Sequence, residues 1–112
     1  MQMIEAVIKP TKIDAVKIAL AKLGIIGMTA IESKGYGRQM GHTERYRGSR
    51  LEVGFLPKIT LKVCVRSDQV DAAVAAITEA SRTGAVGDGK IFVFPVAKVL
   101  RIRTGETDNQ AI

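Results

Sequence analysis

The segment TGAVGDGK, residues 83–90, is the most distinctive short motif of this 112-residue chain. Glycine adopts positive φ values easily, so successive N–H groups of such a segment can point into one concavity and hold an anion. Lys90 follows the last glycine directly, where its ammonium group can reach the bound anion. The spacing is not that of a Walker A loop, and the segment leads into a strand instead of a helix. A tight turn with a solvated Asp88 and Lys90 is the alternative.

Three further cations could serve the same site. Arg101 and Arg103 of LRIR would share one face of a strand about 6.5–7 Å apart, which suits neighbouring phosphates held by bidentate guanidinium groups. Two solvated arginines on an edge strand are the alternative. Lys58 begins another predicted strand, where it either neutralises a carboxylate or is an ordinary surface lysine. Together with the glycine-rich segment, these cations predict an anion-binding site.

Side chains that enzymes use as nucleophiles and bases are scarce. His42 is the single histidine, so a histidine-based metal site or a catalytic pair with serine or cysteine would depend on it alone. Cys64 is the single cysteine, which fits a reducing cytoplasm and is best interpreted as a small core or interface side chain. The site is therefore predicted to bind and not to catalyse. A slow ATPase is the enzymatic alternative.

Composition and charge narrow the class of protein. The net charge of +6, from 17 Lys and Arg against 11 Asp and Glu, suits anionic partners. Aromatic residues make up only 4% of the chain, so rings that could stack on bases are few. A basic nucleic-acid-binding module is thus the runner-up, and no nucleic acid is expected as a partner. The 46% hydrophobic content, without an apolar run near the ~18 residues of a membrane span, predicts a cytoplasmic homo-oligomer.

Apolar spacing divides the first half of the chain into a strand, a helix and a second strand. Alternation over residues 2–9 predicts the first strand. Helical spacing from near Thr11, with Gly24 as the C-terminal glycine, predicts the helix, and residues 26–34 form the second strand. Between residues 35 and 57 the periodicity is lost among glycines and charges. A structureless loop of that length inside a compact domain is usually functional or disordered.

The second half of the chain repeats this order. It predicts a strand over residues 58–66, a helix from Ser67 to about Arg82, the glycine-rich turn, a strand over 91–99 and a tail strand over 100–103. The whole pattern indicates an α+β fold of the ferredoxin-like type, in which two helices cover one face of an antiparallel sheet. The other face then needs cover, which assembly of several copies through their sheets would provide.

These motifs give the chain a family resemblance over nearly its whole length. It resembles the P-II nitrogen regulatory proteins, small trimeric signal transducers that sense ATP, ADP and 2-oxoglutarate. The resemblance lies in MIEAVIKP, GMT, KGYGRQMGHTERYRG, FLPK, TGAVGDGKIFVF and RIRTGE. It implies one domain over residues 1–112, with a ferredoxin-like βαββαβ protomer assembled as a homotrimer. Within it, a T-loop would span about 37–55, a glycine-rich B-loop about 82–90 and a C-terminal segment about 101–112.

The resemblance also implies which residues bind ligands. Nucleotide would lie between neighbouring subunits, with its phosphates and base held by Gly27, Met28, Thr29, Arg38, Cys64, Gly87, Asp88, Gly89, Lys90, Arg101 and Arg103. Of these, Arg38 would reach the terminal phosphate, and residues 27–29 with Cys64 would lie by the adenine and ribose. The effector 2-oxoglutarate would be held by Gln39, Met40, Gly41, Lys58 and Gly87. Gln39 would help to bind Mg²⁺ between ATP and 2-oxoglutarate, and Lys58 would pair with a carboxylate of the effector.

The T-loop is implied to be the mobile segment that contacts partner proteins. Its tip comprises Tyr46, Arg47, Gly48, Ser49, Arg50 and Leu51, and Arg47 matches the arginine that enters the pore of ammonium transporters. The expected partner is a membrane transporter of that type, which would recruit the protein to the membrane, or a nitrogen-regulatory enzyme. A paralogue that senses adenylates and regulates a carbon or other nutrient transporter is the alternative.

Four positions depart from the pattern of the family. Leu51 occupies the position at which many bacterial members carry a uridylylated tyrosine, so that modification is not expected. Ser49 matches a position that some members phosphorylate, although most loop serines are unmodified. Lys62 replaces a residue that is commonly acidic and could accept a hydrogen bond from the adenine amine, which lysine cannot do. Met40 replaces a lysine.

Overall fold

The protein is described by a computed structural model that covers residues 1–37 and 54–112, and the backbone of the strands at 43–46 and 49–52. Short 3₁₀ turns precede both helices and lie near the C-terminus. The elements are β1 (Gln2–Ile8), α1 (Ile13–Ala21), β2 (Thr29–Gly35), β3 (Thr43–Tyr46), β4 (Ser49–Glu52), β5 (Leu56–Val65), α2 (Val70–Ser81) and β6 (Gly89–Pro95).

Four of the strands form one antiparallel sheet in the order β2-β5-β1-β6. In its centre, Ile4 of β1 lies opposite Val63 of β5 on one side and Val93 of β6 on the other. Helix α1 connects β1 to β2, and β5 lies between these two strands in the sheet. Helix α2 connects β5 to β6, and β1 lies between them. The predicted α+β, ferredoxin-like arrangement is confirmed.

The core lies between one face of this sheet and the two helices. Alternate residues of the central strands point to that face, because strand side chains have a period of two. The helices meet them with residues spaced three or four apart, which lie on one side of a helix. The buried apolar residues are Ile4, Ala6 and Ile8 of β1, Leu61, Val63 and Val65 of β5, Val16 and Leu20 of α1, Ala73 and Ile77 of α2, and Ile25.

The ends of α1 differ in part from the prediction. The predicted start near Thr11 is replaced by a 3₁₀ turn over Pro10–Lys12, and α1 begins at Ile13 without a side-chain cap. The predicted C-terminal glycine is confirmed, because Gly24 has a φ of +79° and the next N–H, of Ile25, donates to the Leu20 carbonyl at 3.1 Å.

Two other predictions about the elements are wrong. Residues 35–57 are not structureless, because β3 and β4 pair as antiparallel strands within them and β5 begins at Leu56. The tail strand over residues 100–103 is instead a turn, in which the Gly105 N–H donates to the Arg101 carbonyl at 2.8 Å. Only Leu100 pairs with another extended residue, Thr107, so the strand spacing expected for Arg101 and Arg103 does not apply.

The second face of the sheet carries no helix in the described part of the chain. It presents Met3, Glu5 and Val7 of β1, because the residues that alternate with them are buried in the core. Phe92 and Phe94 lie beside them on β6 and are 50% and 41% exposed. Neither of the two helices has the length and apolar character needed to cross a bilayer, as far as the described residues extend.

Candidate ligand-binding site

The glycine-rich turn has the backbone geometry that its sequence predicts. Gly84, Gly87 and Gly89 all have φ values between +87° and +105°. A Cβ atom on Gly89 would lie 1.7 Å from the carbonyl oxygen of Val7, because this residue begins β6 directly against β1. Glycine is therefore required at position 89 both by the backbone conformation and by the close approach of the neighbouring strand.

Hydrogen bonds within the turn leave two consecutive N–H groups for a ligand. The N–H groups of residues 83–85 bond to side chains of the turn itself. Within the described residues, the N–H groups of Val86 and Gly87 have no protein acceptor. Adjacent N–H groups at a positive-φ glycine form the kind of concavity that binds anions. The turn is thus suited to hold a phosphate or carboxylate.

The carboxylate of Asp88 is engaged inside the turn. Its Oδ2 accepts the N–H groups of Thr83 at 2.8 Å and Gly84 at 2.9 Å, while its Oδ1 accepts the Thr83 hydroxyl and the Lys9 ammonium. The hydroxyl bond to Thr83 contributes most to holding the pKa of this carboxyl far below its usual range. The alternative of a freely solvated Asp88 is wrong.

Lys58 lies under the turn and is only 6% exposed. Its Nζ donates to the Gly87 carbonyl at 2.7 Å, and its stem packs against Gly35. Burial lowers the pKa of this ammonium, the positive charge of Lys9 lowers it further, and the Asp88 carboxylate raises it. The alternative of an ordinary surface lysine is therefore wrong.

These groups meet in a first cleft of about 410 Å³ at one end of the sheet. Lys58 and Lys90 bring two ammonium groups to it, and the glycine-rich turn forms one wall. An anionic ligand placed here would meet both cations and the free N–H groups of the turn. The lining residues are Val7, Gly35, Tyr36, Gly37, Lys58, Ala85, Val86, Gly87, Asp88, Gly89, Lys90 and Phe92.

A second cleft of about 790 Å³ contains the residues assigned to the base. Gly27, Met28 and Thr29 line it together with Cys64 and Arg101. Burial raises the pKa of the Cys64 thiol, so this cysteine stays protonated at neutral pH and offers a weakly polar surface. The chemistry of this wall suits a flat, uncharged group such as a nucleobase.

Three cations line the second cleft, only one of which was assigned to binding by the sequence. Arg101 bonds to Glu106 at 3.3 Å, and Arg66 bonds to Asp68 at 3.1 Å. Lys62 lies directly opposite Thr29 in the sheet, next to the wall assigned to the base. The family resemblance implied that position 62 lies by the adenine, and Lys62 lines the cleft that contains the residues assigned to the base. Arg66 gave no signal, because it follows the end of β5.

The two clefts are separate on one protomer. Val7 lines the first and Met3 the second, so they lie four residues apart along β1, or about 13 Å. Arg103 lines neither cleft. The remaining assigned residues lie outside the residues whose side chains are described: Arg38, Gln39, Met40, Gly41, Tyr46, Arg47, Gly48, Ser49, Arg50 and Leu51.

Metal ligands are not clustered in the described part of the chain, where no three His, Cys, Asp or Glu side chains could hold an ion together. Gln39, which the family resemblance assigns to Mg²⁺, lies outside that part. The described geometry therefore comprises a glycine-rich turn with Lys58 and Lys90 in the first cleft, and a separate second cleft that contains Gly27–Thr29 and Cys64.

The described residues define a class of protein, a ferredoxin-like fold that carries a glycine-rich turn at one end of its sheet. The sequence model of the family described as nitrogen regulatory protein P-II matches residues 1–106. Two relatives are each 56% identical to the chain over 112 residues, which is the full length of the chain and of each relative. They are nitrogen regulatory protein P-II of Klebsiella oxytoca and nitrogen regulatory protein P-II 1 of Escherichia coli K12. The P-II protein of Rhizobium etli is 53% identical over the same length. The chain belongs to the nitrogen regulatory protein P-II family, which consists of signal transducers and not of enzymes.

Proposed function

We propose that this protein is a sensor that binds ATP or ADP and, together with Mg-ATP, 2-oxoglutarate. Binding would take place at clefts between the subunits of a homotrimer. The observation that carries the proposal is the first cleft, where Lys58 and Lys90 lie with two N–H groups of the glycine-rich turn that have no acceptor among the described residues. Phosphates and carboxylates are the ligands that such donors favour.

Each group of the first cleft has a distinct part in binding. The turn and Lys90 would hold the phosphates, with Arg38 reaching the terminal one. Lys58 uses one of its three donors on the Gly87 carbonyl, which leaves two for a carboxylate of 2-oxoglutarate. Because burial penalises its charge, an anion placed beside Lys58 would offset part of that cost. Gln39 would supply a ligand to Mg²⁺.

The base would occupy a second cleft, supplied by the neighbouring subunit. Gly27–Thr29 and Cys64 would contact adenine and ribose, and Arg101 and Arg103 would reach across to the phosphates. Separation of the two clefts on one protomer supports this arrangement, because a trimer would bring the first cleft of one copy against the second cleft of the next. The uncovered sheet face with Phe92 and Phe94 supports assembly through the sheets.

Ligand binding would act on partners through the T-loop, residues 37–55. Mg-ATP with 2-oxoglutarate would favour one conformation of this segment and ADP another, so each ligand would shift which partner can be bound. The tip, Tyr46–Leu51, would contact an ammonium transporter or a nitrogen-regulatory enzyme. The protein would be cytoplasmic and recruited to the membrane by its transporter.

Isothermal titration calorimetry tests the sensing function. We expect ATP to bind the wild-type protein, and 2-oxoglutarate to give heat only when Mg-ATP is saturating. Lys90→Ala should weaken ATP binding by tenfold or more, or about 1.4 kcal/mol. Inosine triphosphate is titrated beside ATP, because Lys62 offers only donors to the base and inosine carries an oxygen where adenine carries an amine.

The possible outcomes separate the candidate functions. ATP affinity of Lys90→Ala within twofold of the wild type would contradict the phosphate assignment. Adenylate binding without any heat from 2-oxoglutarate would instead favour a paralogue that senses adenylates alone. Failure of the wild-type protein to bind any nucleotide would refute the proposal as a whole.

A further inference from the structure

Asp88, Thr83 and Lys9 form a compact hydrogen-bonded cluster behind the glycine-rich turn, which we call the clamp. Lys9 follows the end of β1, Thr83 follows α2 and Asp88 precedes β6, so the clamp joins three elements that meet at one end of the sheet. Its contacts connect residues up to 79 positions apart in the sequence.

The contacts of the clamp fix the first half of the turn. Oδ2 of Asp88 accepts the N–H groups of Thr83 and Gly84, and the Thr83 hydroxyl accepts the N–H of Ala85 at 3.2 Å. Lys9 closes the cluster, with its Nζ 3.3 Å from both the Thr83 hydroxyl and Oδ1 of Asp88. Three successive N–H groups are thereby held by side chains, and the next two have no acceptor in residues 1–37 or 54–112.

The clamp also balances the charge beside the first cleft. An aspartate next to a phosphate site would ordinarily repel the ligand. Here both oxygens of Asp88 are occupied by N–H groups, a hydroxyl and an ammonium, so its negative charge is compensated inside the turn. Lys58 and Lys90 remain the charges that line the cleft together with the turn.

We infer that Lys9, Thr83 and Asp88 are positioning residues, which hold the glycine-rich turn in the conformation that binds the ligand's phosphates. The inference rests on the proposed function, since it assigns the turn to phosphate. Asp88 then contributes to nucleotide binding through the shape of the turn, and its carboxylate makes no contact with the ligand. Lys9 and Thr83 are added to the residues on which nucleotide affinity depends.

Matched substitutions at Thr83 test this role. Thr83→Val keeps the shape of the side chain and removes the hydroxyl, whereas Thr83→Ser keeps the hydroxyl. We expect Thr83→Val to weaken ATP binding by tenfold or more and Thr83→Ser to bind within about twofold of the wild type. The loss should be larger for ATP than for AMP, because the clamp acts on the loop that contacts the phosphates.

Lys9→Met supplies a second test, with Lys17→Met as its control. Both remove one positive charge, but Lys17 is exposed on α1 and has no contact with the turn. We expect Lys9→Met to weaken ATP binding at least fivefold and Lys17→Met to leave it within twofold, a difference that general electrostatic attraction alone would not produce. Equal effects of the two substitutions would overturn the role of Lys9.

Amide hydrogen exchange of the ligand-free protein separates the clamp from the proposed function. Thr83→Val should raise the exchange rates of the Gly84 and Ala85 amides at least tenfold and leave those of β1 unchanged. A wild-type protein that binds no nucleotide, but shows this exchange pattern, would refute the nucleotide site and not the clamp. Unchanged exchange at Gly84 and Ala85, or ATP affinity of Thr83→Val within twofold of the wild type, would overturn the inference.

Discussion

Lys58 is a buried charged residue that is costly for the fold and that we propose to bind the ligand. It carries a charge at 6% exposure, and its described protein partner is the Gly87 carbonyl. Burying a charged group with one neutral partner disfavours the folded state unless an anion is present. The proposed role of Lys58 in ligand binding would account for this burial, which stability alone does not favour.

Replacing Lys58 by Met should separate these two roles. Methionine keeps the length of the apolar stem, so at neutral pH Lys58→Met should unfold at the same or a higher denaturant concentration than the wild type. The same variant should lose 2-oxoglutarate binding in calorimetry with Mg-ATP. Lys98→Met, at an exposed position, is the control and should change neither property. A large loss of stability in Lys58→Met would show that the lysine holds the turn together.

The sign of the pH dependence follows from the lowered pKa of Lys58. Lysine in the unfolded chain titrates near its ordinary value of 10.5, and the folded residue titrates below it. The cost of the buried charge is fully present at neutral pH and is relieved as the residue loses its proton. The wild type should therefore gain stability relative to Lys58→Met as the pH rises toward 10.5. Denaturant unfolding across that range measures the difference.

At the residue scale, the sequence singled out Lys58 and Lys90, which line the first cleft, and did not single out Lys9 and Thr83, which bond to Asp88 or to each other behind it. Lys58 and Lys90 could be selected because they flank a strand start and a glycine-rich motif. Lys9 and Thr83 could not, because they lie 74 positions apart and only the alignment of β1 with β6 brings them together.

At the scale of elements, the close contact between β6 and β1 depends on one glycine. Gly89 combines a φ of +105° with a Cβ position 1.7 Å from the Val7 carbonyl oxygen. Alanine there would clash with the backbone of a central strand, which cannot move without disturbing its pairing with β5. We expect Gly89→Ala to reduce the free energy of unfolding by about 3 kcal/mol or more.

Gly105→Ala is the matched control for this prediction. Gly105 also has a positive φ, +75°, but no atom lies within 4 Å of its Cβ position. Gly105→Ala should therefore reduce the free energy of unfolding by about 1 kcal/mol, through backbone strain alone. Both variants are compared by denaturant unfolding at one protein concentration, because assembly makes stability depend on concentration. Equal losses in the two variants would mean that the clash at position 89 is relieved by a shift of β6.

Elements with strong apolar periodicity were predicted well, and the others were not. The strands and helices of the core have alternating or helical apolar patterns that physical burial imposes. LRIR also alternates, but β6 already ends at Pro95, and residues 101–105 close a turn on themselves instead of pairing with the sheet. Conversely, β3 and β4 are polar, and their pairing relies on backbone hydrogen bonds that leave no apolar pattern in the sequence.

At the scale of the whole molecule, one protomer has two separate clefts, which we propose to be the two halves of a site completed by assembly. On the sheet face that exposes Phe92 and Phe94, Val7 of the first cleft and Met3 of the second lie about 13 Å apart along β1. If copies assemble through their sheets, each copy would cover the exposed sheet face of its neighbour. The same assembly would complete the proposed site. The high apolar content of the sequence predicted assembly. The sequence does not indicate that the first cleft of one copy would face the second cleft of the next.

Mixed oligomers of two inactive variants test the central claim most directly. Lys90→Ala damages the first cleft and Arg101→Ala the second, so neither variant alone should bind ATP at wild-type affinity. Co-expressed in equal amounts, random trimers would have about a quarter of their inter-subunit clefts built from two undamaged halves. Calorimetry of the mixed trimers should then recover wild-type affinity at about that fraction of sites. No recovery of affinity in the mixed trimers would show that nucleotide is bound within one protomer and would contradict the account.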